Sequence, residues 1–295
     1  MYIYNVIIFI VTLVIYTHII FQLKQSNDMD IYNIHDYLEH NFNDICDHRQ
    51  PVKFNVGSFE INELDIKSIV DTHGTFLVNN RTNVFTDETL LYREMSMSDA
   101  IEECNTTKDV FICENNNSYM RESGLYQFLF EFEKHLRPPL TSNVSYDIMF
   151  GSENSTTPLR YGLTYRTFLI CKSGRVRLKL TPPVNRCYLD TIKDYENFEF
   201  RSNYNPWEDN DVVSKPSFLD LTLSQGDSIY IPAYWWYSIR YDEPDTLIYK
   251  ISYTTYMNGL TILPEVMLHH LQMMNIRYRI APSLDTKQDD INKND

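Results

Sequence analysis

The chain begins with a long and almost entirely apolar segment. Tyr2 to Leu23 reads YIYNVIIFIVTLVIYTHIIFQL, and no Lys, Arg, Asp or Glu occurs before Lys24. A helix of about 20 apolar residues is long enough to cross a hydrocarbon core roughly 30 Å thick. A cleaved signal peptide would instead have a basic start, a shorter apolar stretch and an exit of small residues, which this segment lacks. We therefore expect residues 1–24 to be a transmembrane anchor, with a signal peptide and a buried soluble helix as alternatives.

The anchor implies a single-pass membrane protein that contacts the bilayer through residues 2–23. Membrane orientation follows from Lys and Arg near the ends of a span, and only Lys24 lies close to this one. The sequence therefore does not specify on which side of the membrane the remaining residues lie.

From Tyr146 to Tyr256, short apolar runs of strand length dominate the chain. They are separated by turn residues and read DIMFG, TFLIC, RVRLKL, SIYIP, YSIRY and LIYKISY. Several short strands with turn signals between them are typical of a sandwich, barrel or jelly roll. The pattern predicts one mainly β domain over residues 49–256, followed by a helical segment over 257–282 and a disordered tail over 283–295.

Two segments outside the β-rich region show helical spacing instead. The first belongs to a predicted linker and helix over 25–48, and its apolar positions are Ile31, Ile34, Tyr37, Leu38 and Phe42. The second lies within 263–274, and its apolar positions are Val266, Met267, Leu271 and Met274. The second helix either packs on the β-core or pairs with a second copy, which makes 263–274 a candidate homodimer contact.

Composition narrows the function further. The 26 Lys and Arg residues stand against 40 Asp and Glu residues, which gives a formal net charge of -14. A nucleic-acid phosphate backbone is held by clustered basic side chains, so we expect no nucleic-acid partner. The abundance of Asn, Ile, Tyr, Asp and Lys is typical of A+T-rich coding sequence, as in some large DNA viruses and protists, so a viral source fits it and a protist source does too.

Two motifs resemble the cupin-like branch of the JmjC-type oxygenases. Residues 155–162 read STTPLRYG, followed by Gly174 and the pair Pro182 and Pro183; residues 226–237 read GDSIYIPAYWWY. Family members carry T-P-x-H-x-D, then G-x-K and P-P, and later G-D-x-x-x-I-P-x-x-W-W-H. The resemblance implies a double-stranded β-helix, that is a jelly roll or cupin fold, with flanking helices and the N-terminal transmembrane helix.

The same resemblance implies an iron site that this sequence does not preserve. The family holds Fe(II) by two imidazoles and one carboxylate, with open positions for 2-oxoglutarate and O₂. The matching positions here are Arg160, Gly162 and Tyr237. A guanidinium is always protonated and has no lone pair for a metal, and glycine has no side chain. We therefore expect no catalytic residue, no bound metal and no cofactor, with these three as vestigial metal positions.

The cosubstrate site is altered as well. Family members pair 2-oxoglutarate with a lysine two residues after the conserved glycine, and Val176 occupies that position. Arg175 is adjacent, although a shift of one residue in a strand points the side chain to the opposite face. Thr157 matches a threonine that lines the family's pocket. Thr157 and Arg175 are accordingly the candidate cofactor-binding residues.

Three functions follow from this pattern. The first is a membrane-anchored, catalytically inactive cupin-like protein with a binding or structural role, that is a pseudoenzyme whose protein partner the sequence does not identify. The second is an Fe(II)/2-oxoglutarate-dependent hydroxylase with a non-standard metal site. The third is a jelly roll that binds a sugar or a small anion, with Arg160 available to pair a carboxylate.

Overall fold

The structure is a computed structural model of the chain, and its strands form two β-sheets. The residues it describes are 2–35, 42–56, 66–82, 92–106, 111–208, 216–278 and 286–287. In this part of the chain the two sheets pack against each other, and helices flank them. The mainly β fold with flanking helices is confirmed.

The larger sheet has nine strands, and all neighbouring strands are antiparallel except the first two. In order across the sheet they are β1 (Tyr32–Ile34), β2 (Val52–Asn55), β13 (Asp227–Pro232), β8 (Arg166–Ser173), β15 (Leu247–Thr255), β6 (Thr141–Gly151), β5 (Phe111–Cys113), β3 (Leu77–Thr82) and β4 (Arg93–Ser96).

The smaller sheet has seven strands and is antiparallel throughout. In order they are β12 (Leu219–Ser224), β9 (Arg175–Thr181), β14 (Trp236–Tyr241), β7 (Leu159–Tyr161), β11 (Glu199–Ser202), β10 (Thr191–Asp194) and β16 (Thr286–Lys287). The six apolar runs predicted as strands lie in β6, β8, β9, β13, β14 and β15. The predicted disordered tail lies outside the described residues apart from β16.

Helices occupy the ends of the chain and the segment between the early strands. They are α1 (Tyr2–Leu23), α2 (Phe42–Asp47), α3 (Ile66–His73), α4 (Met97–Thr106), α5 (Asn117–Glu122), α6 (Phe130–Leu136), α7 (Tyr256–Thr261) and α8 (Leu263–Tyr278). Two 3₁₀ helices, Leu125–Leu129 and Pro183–Tyr188, complete the described helical segments.

The helix predicted from Ile31 onward is wrong at its start. Tyr32–Ile34 is a strand that pairs in parallel with Val52–Phe54, and a helix appears only at α2. Residues 36–41 lie outside the described part of the chain. Ile34 is buried against the core through this pairing. A partner strand that arrives about 20 residues later therefore decides the local structure, which helical spacing alone does not report.

The alternation of side chains along the strands builds two cores. In β8, Phe168 and Ile170 join a cluster on the outer face of the larger sheet, where residues of α2 to α6 cover it. Leu169 and Cys171 point the other way and join the cluster between the sheets. This period of two is expected of a strand with both faces buried.

The motif at 226–237 forms a turn, a strand and a second turn. Gly226 has φ +86° and its N–H donates to the Cys171 oxygen at 2.9 Å, so a residue without a side chain suits this turn. Trp235 packs between the sheets, and its indole N–H donates to the Arg49 oxygen at 3.1 Å. The next residue, Trp236, packs in a third cluster under α8. The motif thus fixes the end of β13 and the start of β14.

Helix α1 is apolar enough to span a membrane, with a mean hydropathy of 2.4 over its best 18-residue window. Its side chains are exposed from Tyr2 to His18, and only near its end does one, Gln22, become buried. An exposed apolar helix is unfavourable in water and favourable in lipid.

Helix α8 packs on the domain through one face only. Val266 and Leu268 lie against the third cluster. The opposite face leaves four large apolar side chains 46–56% exposed, and they are Leu263, Met267, Leu271 and Met274. The helix therefore has both a packed side and an apolar outer side, and the dimer expected through 263–274 stays a prediction.

Candidate functional site

A cavity of about 580 Å³ lies between the two sheets at one end of the strands. One wall is the inner face of the larger sheet, formed by β6, β15 and β8. The opposite wall comes from β7, β11 and β14, and residues of α7 and α8 close a third side. The volume is in the range of small-molecule sites.

The wall from the larger sheet is polar. Lys250 pairs with Asp147, Ser252 with Ser145 and Thr254 with Asn143 in the register of β15 and β6, and all six side chains line the cavity. Farther along the same face the residues become apolar: Met149 and Ile248 belong to the core between the sheets. The cavity therefore has one polar wall, on the larger sheet, and an apolar floor, whereas the opposite wall carries aromatic side chains such as Phe198 and Phe200.

All three predicted metal positions line this cavity. Arg160 lies on β7, opposite Tyr237 of β14 in the strand register, and Gly162 follows β7 directly. A Cβ atom added to Gly162 would meet its nearest neighbour, the Thr164 hydroxyl, at 3.6 Å, which is an ordinary contact. The backbone at this position thus leaves room for a side chain that the sequence does not supply.

Four charged side chains meet at the cavity wall that the smaller sheet forms, and two of them, Arg160 and Glu199, line the cavity. The Arg160 guanidinium contacts Glu114 and, at 2.9 Å, Glu199; the Arg81 guanidinium contacts Glu114 and, at 3.2 Å, Glu199. Each carboxylate therefore contacts both guanidiniums, and the four form a closed ring of alternating charge, called the charge ring below. Its formal net charge is zero.

The charge ring is almost completely withdrawn from water. The side chains of Arg81, Glu114, Arg160 and Glu199 are 0%, 1%, 7% and 7% exposed. Burial would raise the pKa of Glu199, but the two guanidiniums outweigh it and lower that pKa to about 2. Burial likewise works to raise the pKa of Glu114, and Arg160 and Arg81 lower it below its usual value. Both carboxylates are therefore ionised at neutral pH.

The charge ring joins the two sheets. Arg81 lies on β3 and Glu114 directly follows β5, both in the larger sheet, whereas Arg160 and Glu199 lie on β7 and β11 in the smaller one. Aromatic rings flank it on both sides: the Arg81 guanidinium carbon is 5.5 Å from the centre of the Tyr92 ring, and that of Arg160 is 5.6 Å from the Tyr237 ring. Such cation–π contacts favour the charged guanidinium.

These residues do not fit an Fe(II) centre of the family's kind. Arg160 offers hydrogen atoms rather than lone pairs, and Gly162 offers no side chain. Tyr237 could bind only as a phenolate, and its ring faces the Arg160 guanidinium instead. Within the described residues, no group of three His, Cys, Asp or Glu side chains is arranged to hold a metal ion.

Thr157 and Arg175, the predicted cofactor-binding residues, lie away from the cavity lining. Thr157 is fully buried, and its hydroxyl accepts the N–H of Ile239 at 2.9 Å. Arg175 is on the surface and pairs with Glu243. Val176, which follows Arg175 in β9, points into the core between the sheets. The structure thus brings together Arg160, Gly162 and Tyr237, and does not bring Thr157 or Arg175 to them.

Arg81, Glu114 and Glu199 are site residues that the sequence reasoning did not assign. A signal for two of them is present: Glu114 follows the apolar run Phe111–Cys113, and Glu199 lies between Phe198 and Phe200. A charged residue inside an apolar strand is buried only when it is paired. Arg160 also lies in a buried strand and therefore requires a carboxylate partner. The sequence does not identify which carboxylate pairs with it.

Comparison with known proteins agrees with this architecture. No curated protein matches the chain. The profile of the family described as cupin-like domain matches residues 33–258, well over half of the chain. The matched region contains both sheets except for the first residue of β1 and all of β16. It also contains the charge ring and the cavity lining apart from Gly259, Ile262, Leu263 and Val266. The chain therefore belongs to the cupin-like domain family.

Proposed function

We propose that the chain is a membrane-anchored, catalytically inactive cupin-like protein that acts by binding rather than by oxidation. The observation that carries this proposal is the charge ring: a guanidinium paired with two carboxylates occupies the position at which the resemblance expects an iron-binding histidine. The Arg160 guanidinium supplies no donor atom for a metal ion.

The energy of the charge ring supports this view. Removing one partner from a buried ion pair costs about 3–5 kcal/mol, because the remaining charge stays buried without compensation. A hydroxylase with a non-standard metal site would have to move Arg160 away and use Glu114 and Glu199 as ligands. That rearrangement would expose Arg81 and Arg160 to such a cost, so the enzyme alternative requires a metal affinity large enough to offset it.

The side chains at the expected cosubstrate position also support the proposal. The family pairs 2-oxoglutarate with a lysine inside the barrel, and the equivalent Val176 packs there with Leu178, Leu180 and Ile239. A dicarboxylate placed in this apolar floor would lose its hydration without gaining a cation. The inner part of the barrel is therefore better suited to a packed core than to an anion.

The outer part of the barrel supports a binding role. The cavity presents amide and hydroxyl groups beside aromatic side chains, and these groups include Asn143, Ser145, Thr167, Ser252 and Phe200. Arg160 is already neutralised by two carboxylates, and the Lys250 ammonium lies 3.9 Å from the Asp147 carboxylate. Within the third function, a jelly roll that binds a sugar or a small anion, these charges favour a sugar or another neutral polar ligand.

The membrane part of the proposal rests on α1. The helix is 22 residues long, which gives about 33 Å at 1.5 Å per residue, enough for a single span. We propose that it stays attached and anchors the cupin-like domain to the bilayer.

A turnover assay separates the binding and enzyme functions. The full chain, purified in detergent, is incubated with Fe(II), ascorbate and 2-oxoglutarate, and succinate is measured with and without an iron chelator. We expect no succinate above that of a protein-free control. Succinate formation that the chelator abolishes would establish the enzyme and overturn the proposal.

A thermal-shift screen tests the ligand class. Neutral mono- and disaccharides are compared with dicarboxylates, and the screen is repeated with Gly259→Leu, which adds a side chain where a Cβ atom has no neighbour within 4 Å on the cavity wall. We expect stabilisation by a neutral compound in the natural chain only. Stabilisation by dicarboxylates alone would favour the anion-binding alternative.

A further inference from the structure

The end of α1 packs directly against the cupin-like domain. The Arg49 guanidinium carbon is 5.7 Å from the centre of the Phe21 ring, and Gln22 is only 7% exposed. A groove lies between the helix and the domain. Its helix side is lined by Thr17, His18, Phe21 and Gln22, and its domain side by Asp47, Tyr165, the turn at Pro139 and the start of α7. No flexible spacer therefore separates α1 from this edge of the domain.

The length of α1 places this edge close to lipid. A bilayer core takes about 20 helical residues, so a span that begins near Tyr2 uses almost the whole helix. Thr17 and Leu23 are six residues apart, or about 9 Å along the helix axis. The headgroup layer on one side of a bilayer is roughly 5–8 Å thick. The domain residues that contact Thr17 to Gln22 thus lie between the last part of the hydrocarbon core and the headgroups.

Large apolar side chains are exposed at the same edge. Leu140 is 69% exposed, Tyr256 63% and Leu260 47%. The first two are joined through the backbone, since the Tyr256 N–H donates to the Leu140 oxygen at 3.1 Å. Leu140 also lines the groove beside α1, and α7, which contains Tyr256 and Leu260, contacts α1. Tyrosine and leucine are suited to the boundary between headgroups and acyl chains.

We propose that Leu140, Tyr256 and Leu260 form a second membrane contact that holds the domain flat against the bilayer. The inference rests on the proposal that α1 spans the membrane, and it adds a peripheral contact that the anchor alone does not require. A second copy of the chain is a poorer occupant, because a stable interface buries about 800 Å² per partner and three side chains supply much less. The patch is instead continuous with a helix that is itself in lipid.

Tryptophan fluorescence in brominated lipid tests the contact. The full chain is reconstituted in vesicles of phosphatidylcholine with and without brominated acyl chains, as the natural chain and as Tyr256→Trp, Leu260→Trp and Glu243→Trp. Glu243 is the matched control, because it lies in the turn that precedes β15, whereas the patch adjoins the other end of that strand, which is about 27 Å long. Two patch variants are used so that one misfolded variant does not decide the result.

The added fluorescence at positions 256 and 260 should be quenched by the brominated chains, by at least twice the fraction seen at 243. Equal, weak quenching at all three positions in a chain that resists carbonate extraction would overturn the second contact and leave the anchor intact. Extraction of the natural chain by carbonate would overturn the anchor and the contact together. Cross-linking between copies at position 256 without quenching would assign the patch to a dimer.

Discussion

Arg160 and Tyr237 face each other across β7 and β14, and the guanidinium carbon lies 5.6 Å from the centre of the phenol ring. These are the positions at which the family resemblance expects the two iron-binding histidines. The register of the two strands brings these two positions together. They hold a cation stacked on an aromatic ring, where the resemblance expects a pair of imidazoles.

The charge ring should behave as a unit. We expect Arg160→Met and Glu199→Gln each to lower the free energy of unfolding by about 3–5 kcal/mol, because each leaves the buried ring with one unit of uncompensated charge. The double variant restores neutrality and should cost less than the sum of the two. Chemical unfolding of the full chain in detergent measures the cycle.

The control for this cycle is Arg177→Met. Arg177 pairs with Asp242 on the surface and is 46% exposed, so its loss should cost at most about 1 kcal/mol. Additive effects of Arg160→Met and Glu199→Gln would show that the two residues act independently, contrary to the contacts described above.

The charge ring also predicts sensitivity to acid. The pKa of Glu199 is lowered to about 2 in the folded chain, below the usual value of about 4.5. Its contribution to stability is therefore complete above about pH 4.5 and is lost as the pH falls toward 2. Asp147, whose pKa burial raises, contributes with the opposite sign. Unfolding midpoints at pH 7, 5, 4 and 3 should fall less steeply in Glu199→Gln than in the natural chain. Parallel curves would argue against the ionised carboxylate.

Thr157 should be a structural residue. Its hydroxyl accepts the Ile239 N–H, so Thr157→Val leaves a buried donor without a partner and should cost about 1–3 kcal/mol. Thr157→Ser keeps the oxygen and serves as the matched control. If Thr157→Val leaves the melting temperature unchanged but abolishes stabilisation by a ligand found in the thermal-shift screen, the predicted binding role is correct.

The outer face of α8 tests the homodimer. Met267 and Leu271 are 56% and 54% exposed and four residues apart, so they lie on one side of the helix. If this face pairs with a second copy, Met267→Glu with Leu271→Glu should convert a dimer into a monomer, as measured by light scattering in detergent. Met273→Glu, on another side of the same helix, is the control. A natural chain that is already monomeric would refute the dimer.

Sequence alone could predict the parts of this fold that depend on local pattern. The six strand runs alternate or are continuously apolar, and Gly226 and Pro232 mark turns, so the strands and the motif around Trp235 follow from neighbouring residues. The strand at Tyr32–Ile34 could not be predicted, because its pairing with Val52–Phe54 is made far along the chain.

The candidate site divides in the same way. Arg160, Gly162 and Tyr237 could be aligned with a motif, since each has a fixed spacing to residues such as Pro158 and Trp236. The partners of Arg160 could not be assigned, because Arg81, Glu114 and Glu199 come from three separate strands or strand ends that only the packing of the two sheets brings together.

Metal binding tests the central claim most directly. The natural full chain and the triple variant Arg160→His, Gly162→Asp, Tyr237→His are loaded with Fe(II) or Co(II) without oxygen, washed, and analysed for bound metal by mass spectrometry. The triple variant supplies two imidazoles and a carboxylate, and the space at Gly162 accepts a side chain. We predict metal near one equivalent in the triple variant and far below one in the natural chain. One equivalent of metal in the natural chain, lost in Glu114→Gln or Glu199→Gln, would contradict the account.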